Sequence, residues 1–294
     1  MSAGGELVFF GGELVPLAEA RVPVDDRALL YGDSVFETVR SYSGTPFRLW
    51  RHLQRMDDAC RVLRVRSPYS HMEITAAAAM VLEANGLMEC DARVRITLLG
   101  GPSAGPKGLE RPGPPGLLVT ARPYEPPPGS WYEDGISLAV SGIKRNTSSP
   151  ASQLKTSNYL DSLLARQEAF DRGADDAVML TTAGNLAEAT SSNLFLVRDD
   201  ELLTPNVGCA FLPGITREAV VELALENEIP CREVMEGLET LMGADEVFLT
   251  NSMVEVLPVR QVGTRTVPQC PGPLTRRLSS LYDDLVAREC SKSA

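Results

Sequence analysis

Histidine is nearly absent from this chain: His52 and His71 are the only two in 294 residues. That leaves little material for a Ser-His-Asp triad or a histidine-ligated metal. The six cysteines (Cys60, Cys90, Cys209, Cys231, Cys270, Cys290) are scattered without a C-x-x-C pair, which argues against a zinc cluster and a disulfide framework. No stretch approaches the roughly 18 apolar residues of a membrane span. The opening MSAGGELVFFGGELV lacks a basic segment followed by an apolar run, so the cytoplasm is the expected compartment. Positive charge is in deficit, 28 Lys and Arg against 39 Asp and Glu, for a net charge of −11. Such a field repels nucleic-acid backbones and anionic lipid, so no nucleic acid and no membrane is expected as a partner. A local basic pocket for a small anion is compatible with it. Internal repeats and low-complexity tails are also missing. Chemistry is therefore expected from lysine, arginine, carboxylates and a bound cofactor.

What is present suits a mixed α/β protein in two parts. Apolar residues make up 44% and charged residues 23%, enough for a substantial core at this length. Strands are predicted at Leu7 to Phe10 and Glu13 to Pro16 around a Gly11-Gly12 turn, then at Val35 to Tyr42. A Ser43-Gly44-Thr45-Pro46 turn and a returning strand Phe47 to Trp50 follow. His52 to Val65 carries Leu53, Met56, Cys60 and Leu63 at helical spacing, and Glu73 to Asn85 is a second helix. Val94 to Leu98 and Leu117 to Thr120 alternate as strands, separated by a Gly/Pro-rich loop, Gly100 to Gly116, long enough to suggest function. The Pro-rich stretch Arg122 to Gly129 marks a stiff linker. The expected domains are 1–121 and 131–294, with 122–130 between them. In the second, strands are predicted at Ile136 to Ser141, Ala177 to Thr181, Asn193 to Val197 and Val247 to Thr250. Helices are predicted at Asn158 to Asp171, Thr216 to Asn227 and Leu274 to Arg288.

Several segments carry candidate chemistry. Lys155 precedes Thr156 and Ser157, either of which could cap the helix that follows. A lysine at the positive end of a helix is biased toward its nucleophilic amine form, although a lysine there is ordinarily a surface residue. Glu188 stands among small residues in Gly184 to Phe195, with room for a flat ligand, and a carboxylate there could pair with a protonated ring nitrogen. The competing reading is an exposed hairpin glutamate. Leu212-Pro213-Gly214-Ile215-Thr216-Arg217 runs into a helix whose first N–H groups could cradle a phosphate. Thr250-Asn251-Ser252 adds hydroxyl and amide groups, and Arg55 offers the forked donors a phosphate prefers.

In this order the segments resemble the class IV aminotransferases and their lyase relatives, over nearly the whole chain. The matching stretches are Tyr31 to Arg40, His52 to Met56, Lys155 to Leu160, Glu188 to Phe195, Leu212 to Arg217 and Thr250 to Val259. The resemblance implies a pyridoxal 5'-phosphate enzyme of fold type IV: an N-terminal α/β domain, a C-terminal pseudo-barrel domain and the cofactor between them, usually in a homodimer. It implies that Lys155 holds the cofactor as a Schiff base and that Glu188 meets the pyridine nitrogen. Arg55, Ile215, Thr216 and Ser252 would hold the phosphate, with Asn251 beside them, and Tyr159 would lie near the phenolic oxygen.

Three branches compete for the reaction on a small amino substrate. Branched-chain aminotransferases tend to have Glu-Gly where this chain has Glu37-Thr38, and one more residue between the lysine and the tyrosine. D-amino-acid aminotransferases usually carry an Arg-x-His pair that Gly100 to Arg111 lacks. Phe36-Glu37-Thr38 and Phe248 to Ser252 look most like 4-amino-4-deoxychorismate lyases, which release 4-aminobenzoate and pyruvate in folate synthesis. Those lyases usually have an Arg-Gly pair where Gly100-Gly101-Pro102 stands, leaving Lys107 and Arg111 as substitutes. Phe36, Thr38, Arg40, Arg93 and Arg95 complete the substrate-binding candidates. The lyase is the first expectation and an aminotransferase for branched-chain L-amino acids or D-amino acids the alternative. A non-catalytic cofactor-binding protein is a third reading, against which Lys155 and Glu188 both stand.

Overall fold

The computed structural model describes residues 5–105 and 108–291, and the chain divides into two compact units. The first takes the chain up to Glu125, returns for Leu154–Asn158, and includes the residues from Arg288 onward. Its elements are β1 (Leu7–Phe10), β2 (Glu13–Pro16), α1 (Arg27–Tyr31), β3 (Val35–Tyr42), β4 (Thr45–Pro46), α2 (Leu49–Val62), α3 (His71–Ala84), β5 (Ala92–Leu98) and β6 (Leu117–Pro123). The strands form one antiparallel sheet in the order β2-β1-β6-β5-β3-β4. Strand alternation sorts its faces. Val35, Val39, Val94 and Ile96 join Leu53, Met56, Ala77 and Val81 of the helices in one core, while Thr38, Arg40 and Arg95 alternate with them and stay partly exposed.

The strand expected at Phe47 to Trp50 is not formed. Ser43 and Gly44 both take positive φ, as a tight two-residue hairpin requires, so pairing with β3 begins at once and is confined to Thr45 and Pro46. Proline cannot extend the ladder, and α2 starts at Leu49.

Leu154–Asn158 belongs to the first unit because its backbone pairs with the start of β3. Phe36 N–H donates to Lys155 O at 2.9 Å and Ser157 N–H to Ser34 O at 3.1 Å, with Thr156 opposite Val35. The division at Glu125–Pro126 falls within the Pro-rich stretch, whose first two residues, Arg122 and Pro123, are the end of β6.

The second unit contains α4 (Ser130–Glu133), β7 (Ile136–Arg145), α5 (Leu160–Asp171), β8 (Asp176–Thr181), β9 (Leu186–Ala189), β10 (Asn193–Arg198), β11 (Glu201–Pro205), α6 (Ile215–Glu226), β12 (Cys231–Val234), α7 (Leu238–Gly243), β13 (Glu246–Asn251), β14 (Glu255–Val262), β15 (Arg265–Thr266) and all of α8 (Pro273–Cys290) up to Ala287. The strand order is β12-β11-β10-β13-β14-β7-β8-β9, with β15 on β14. The path curls back on itself: Leu186 N–H donates to Glu236 O at 2.7 Å, and Asn185 bridges Gly237 just beyond β12. This is the expected pseudo-barrel, filled by Val178, Leu194, Leu196, Val247, Leu249 and Val259.

Candidate active site

In the first unit, half-buried Lys155 sits on the segment that pairs with β3. Its Nζ lies 4.7 Å from the centre of the Phe36 ring, and the guanidinium of Arg95 lies 3.8 Å from the same ring. Thr38 stands opposite Arg95 in the ladder. The expected capping role of Thr156 and Ser157 is not found. Ser157 Oγ meets Ser34 Oγ at 2.5 Å, Thr156 Oγ1 accepts from Asn158 N–H at 3.3 Å, and α5 begins after Tyr159 without a side-chain cap. Pairing with β3 commits these hydroxyls elsewhere.

Arg55 lies on the helix-covered face and forms a buried cluster with Glu37 and His52. Glu37 is fully buried and accepts from Arg55 Nε at 2.9 Å, Arg55 Nη2 at 2.6 Å and His52 Nδ1 at 2.7 Å. Burial pushes its carboxyl pKa up, but the Arg55 charge and the His52 bond outweigh it and hold the group at about 2. Burial also lowers the proton affinity of His52, in keeping with a neutral ring that donates Nδ1–H.

The remaining carboxylate-binding candidates separate clearly. Arg40 is committed to Asp91 at 2.8 Å and stacks on Tyr124, 3.9 Å from its ring. Arg111 donates to both oxygens of Asp33 at 2.8 and 2.9 Å and to Gly100 O at 2.9 Å. Asp33, itself buried, also takes Arg27 Nε at 2.6 Å, so Arg111 pins the Gly-rich loop rather than reaching a ligand. Arg93 is exposed, and Lys107 lies outside the described residues.

In the second unit, Glu188 is a buried member of β9, not an exposed hairpin residue. Arg145 Nη2 pairs with its Oε1 at 2.8 Å, and Leu212 N–H donates to its Oε2 at 3.0 Å. Arg145 is fixed in turn by the carbonyls of Ala210 and Ser152. Tyr159 donates its phenol to Thr190 O at 3.2 Å; burial, then the Glu188 charge, push its pKa up to about 12. Thr190 is tied to Asp176 at 2.5 Å. Gly214 precedes α6 and provides no side-chain cap, with Ile215 and Thr216 buried in the first turn. Asn251 organises its own turn: Oδ1 accepts from Met253 and Val254 N–H at 2.7 and 2.9 Å, and Nδ2 donates to Ser192 Oγ at 2.8 Å. Ser252 follows, partly exposed.

A family model described as amino-transferase class IV matches residues 34–262. The chain belongs to that family. Its enzymes use pyridoxal 5'-phosphate, and this chain is a pyridoxal-phosphate-dependent enzyme. The branched-chain-amino-acid aminotransferase of Escherichia coli K12 is 33% identical over 296 residues, covering 97% of this chain and 94% of that one. A crystal structure of the Escherichia coli enzyme matches with a TM-score of 0.90 at 32% identity, over 98% and 97% of the two chains. The branched-chain aminotransferase of Thermoproteus uzoniensis, solved with norvaline, gives 0.89 at 30%, over 98% and 97%. A Legionella pneumophila chain provisionally named a 4-amino-4-deoxychorismate lyase gives 0.83 at 27%, over 91% and 96%.

The residues present fit this cofactor. A buried carboxylate with a fixed orientation suits a protonated ring nitrogen. The glycine before α6 leaves the first N–H groups open to an anion, and a Cβ there would strike Asn193 Oδ1 at 2.0 Å. Thr250 Oγ1, opposite Asn193 in the ladder, is buried with no hydrogen-bond partner among the described residues. Sequence reasoning missed Arg145, Glu37, His52 and Asn193 as parts of the site. The one available signal was that a carboxylate buried at 37 or 188 needs a cation, but not where in the chain that cation lies.

Proposed function

We propose that this chain is an aminotransferase for L-amino acids with apolar, branched side chains. The carrying observation is that Arg40 and Arg111, candidates for a second substrate carboxylate, are committed to Asp91 and Asp33. A substrate with one carboxylate, met by Arg95 on the Phe36 face, fits what remains among the described residues. The end-to-end likeness to branched-chain aminotransferases supports the same choice, so the lyase expected first gives way to the alternative.

The cofactor, when bound, supplies an electron sink for the charge that develops at the substrate α-carbon. Lys155 Nζ would hold the cofactor's aldehyde and, as a free amine beside the substrate, would serve as the general base for the α-proton. Glu188, clamped by Arg145 and Leu212, keeps a proton on the pyridine nitrogen. Tyr159, protonated and donating to the Thr190 carbonyl, would lie near the phenolic oxygen. The Ile215 and Thr216 N–H groups, with Arg55 and Ser252, bind the phosphate. Phe36 and Thr38 border the substrate. A homodimer in the cytoplasm belongs to the same reading. Leu160, Leu163, Leu164 and Phe170 form a stripe on α5 that is 49–66% exposed, of the kind a subunit contact covers.

The test is a single half-reaction. L-leucine, L-isoleucine or L-valine should bleach the yellow holoenzyme, and a 2-oxo acid should restore it. D-alanine should act far more slowly. If 4-amino-4-deoxychorismate instead yields 4-aminobenzoate over many turnovers with the yellow form intact, and the L-amino acids do nothing, the lyase takes its place.

A further inference from the structure

Asn193 opens β10 and is 5% exposed. Its Nδ2 donates to the carbonyl of Leu212 at 2.8 Å. Its Oδ1 occupies the space where a Gly214 Cβ would stand, 2.0 Å from that point. The N–H of the same Leu212 goes to Glu188 Oε2 at 3.0 Å. Leu212 is therefore held on both sides, its N–H by Glu188 and its carbonyl by Asn193, two residues before α6 is capped by Gly214. Since Gly214 offers no capping side chain, the direction of the Ile215 and Thr216 N–H groups is set by how the chain arrives through 212–214. Arg217 steadies the same turn, donating to Pro205 O at 2.9 Å and lying 4.6 Å from the Phe211 ring.

We propose that Asn193 is a positioning residue for the cofactor's phosphate, acting through the backbone of Leu212–Gly214 rather than by touching the ligand. This rests on the reading in which the Ile215 and Thr216 amides hold the phosphate. The amide side chain meets two demands at once. It supplies a donor to the half-buried Leu212 carbonyl and sets a slim oxygen against a bare Cα. Alanine removes that donor; aspartate keeps the shape but sets an anion against the carbonyl and beside the phosphate cradle.

The experiment compares two ligands that share ring and aldehyde: pyridoxal 5'-phosphate and pyridoxal, which has a hydroxyl in place of the phosphate. Their affinities for the cofactor-free protein are measured by equilibrium dialysis, with the melting temperature of each variant as control. Wild type should prefer the phosphorylated form. Asn193→Ala should weaken that form about tenfold, the scale of one buried hydrogen bond, and leave pyridoxal unchanged. Asn193→Asp should lose more, and carries the same test if the alanine variant does not fold. Gly214→Ala should cost wild type much of its preference but cost less in Asn193→Ala, where the space has opened. Equal weakening toward both ligands, an unchanged preference, or an equal Gly214→Ala cost in both backgrounds overturns the proposal. A wild type with no preference at all removes the phosphate reading beneath it, a failure distinct from the others.

Discussion

Three N–H groups converge on Glu37, and they govern how this residue answers acid. Its folded pKa, about 2, lies below the ordinary 4.5. A depressed carboxylate stabilises the fold fully above its unfolded pKa and loses that contribution as pH falls through the folded value. The stability gap between wild type and Glu37→Gln in urea melts should therefore be full above pH 4.5 and close toward pH 2. A gap that does not change with pH contradicts the ion pair. Glu188 makes a different prediction, because its charge serves the reaction. Glu188→Gln keeps the shape and should lower the rate by on the order of 10²-fold, the cost of one well-placed electrostatic group. Turnover at the wild-type rate in this variant would remove Glu188 from the pyridine nitrogen.

At the scale of elements, regular periodicity made much of the fold legible. The strands at Leu7–Phe10, Glu13–Pro16 and Val35–Tyr42 match the expected spans, and α2, α3, α5 and α6 lie within a few residues of theirs. Elements without a clean period were missed. β9 is wholly buried yet carries Glu188, because Arg145 compensates the charge. β12 is only four residues, CREV, and β14 contains Pro258, which discourages a strand assignment. Lys155, Glu188, Arg55 and the helix start at 215–216 were legible as an ordered set of motifs. Arg145, His52 and Asn193 were not, because their roles come from partners distant in sequence. The α5 stripe carries its own prediction. Leu163→Glu should convert a dimer to a monomer in sedimentation analysis while the far-ultraviolet circular dichroism holds. A wild type that sediments as a monomer at micromolar concentration contradicts the dimer.

For the whole molecule, an acidic chain with net charge −11 must hold a phosphorylated anion through local donors rather than through its overall field. Among the described residues, no helix is long and apolar enough to cross a membrane. The cysteines are all unpaired, as a reducing compartment allows. Lysine is unusually informative here, since the chain has only four: Lys107, Lys144, Lys155 and Lys292. Of the two that lie among the described residues, Lys144 and Lys155, it is Lys155 that lies on the segment pairing with β3, beside Phe36. The most direct measurement is borohydride reduction of the protein loaded with pyridoxal 5'-phosphate, followed by peptide mapping. The yellow colour should disappear, with a single modified peptide carrying the pyridoxyl group on Lys155. Modification of Lys144, Lys107 or Lys292 in its place, or of no lysine, would contradict the account.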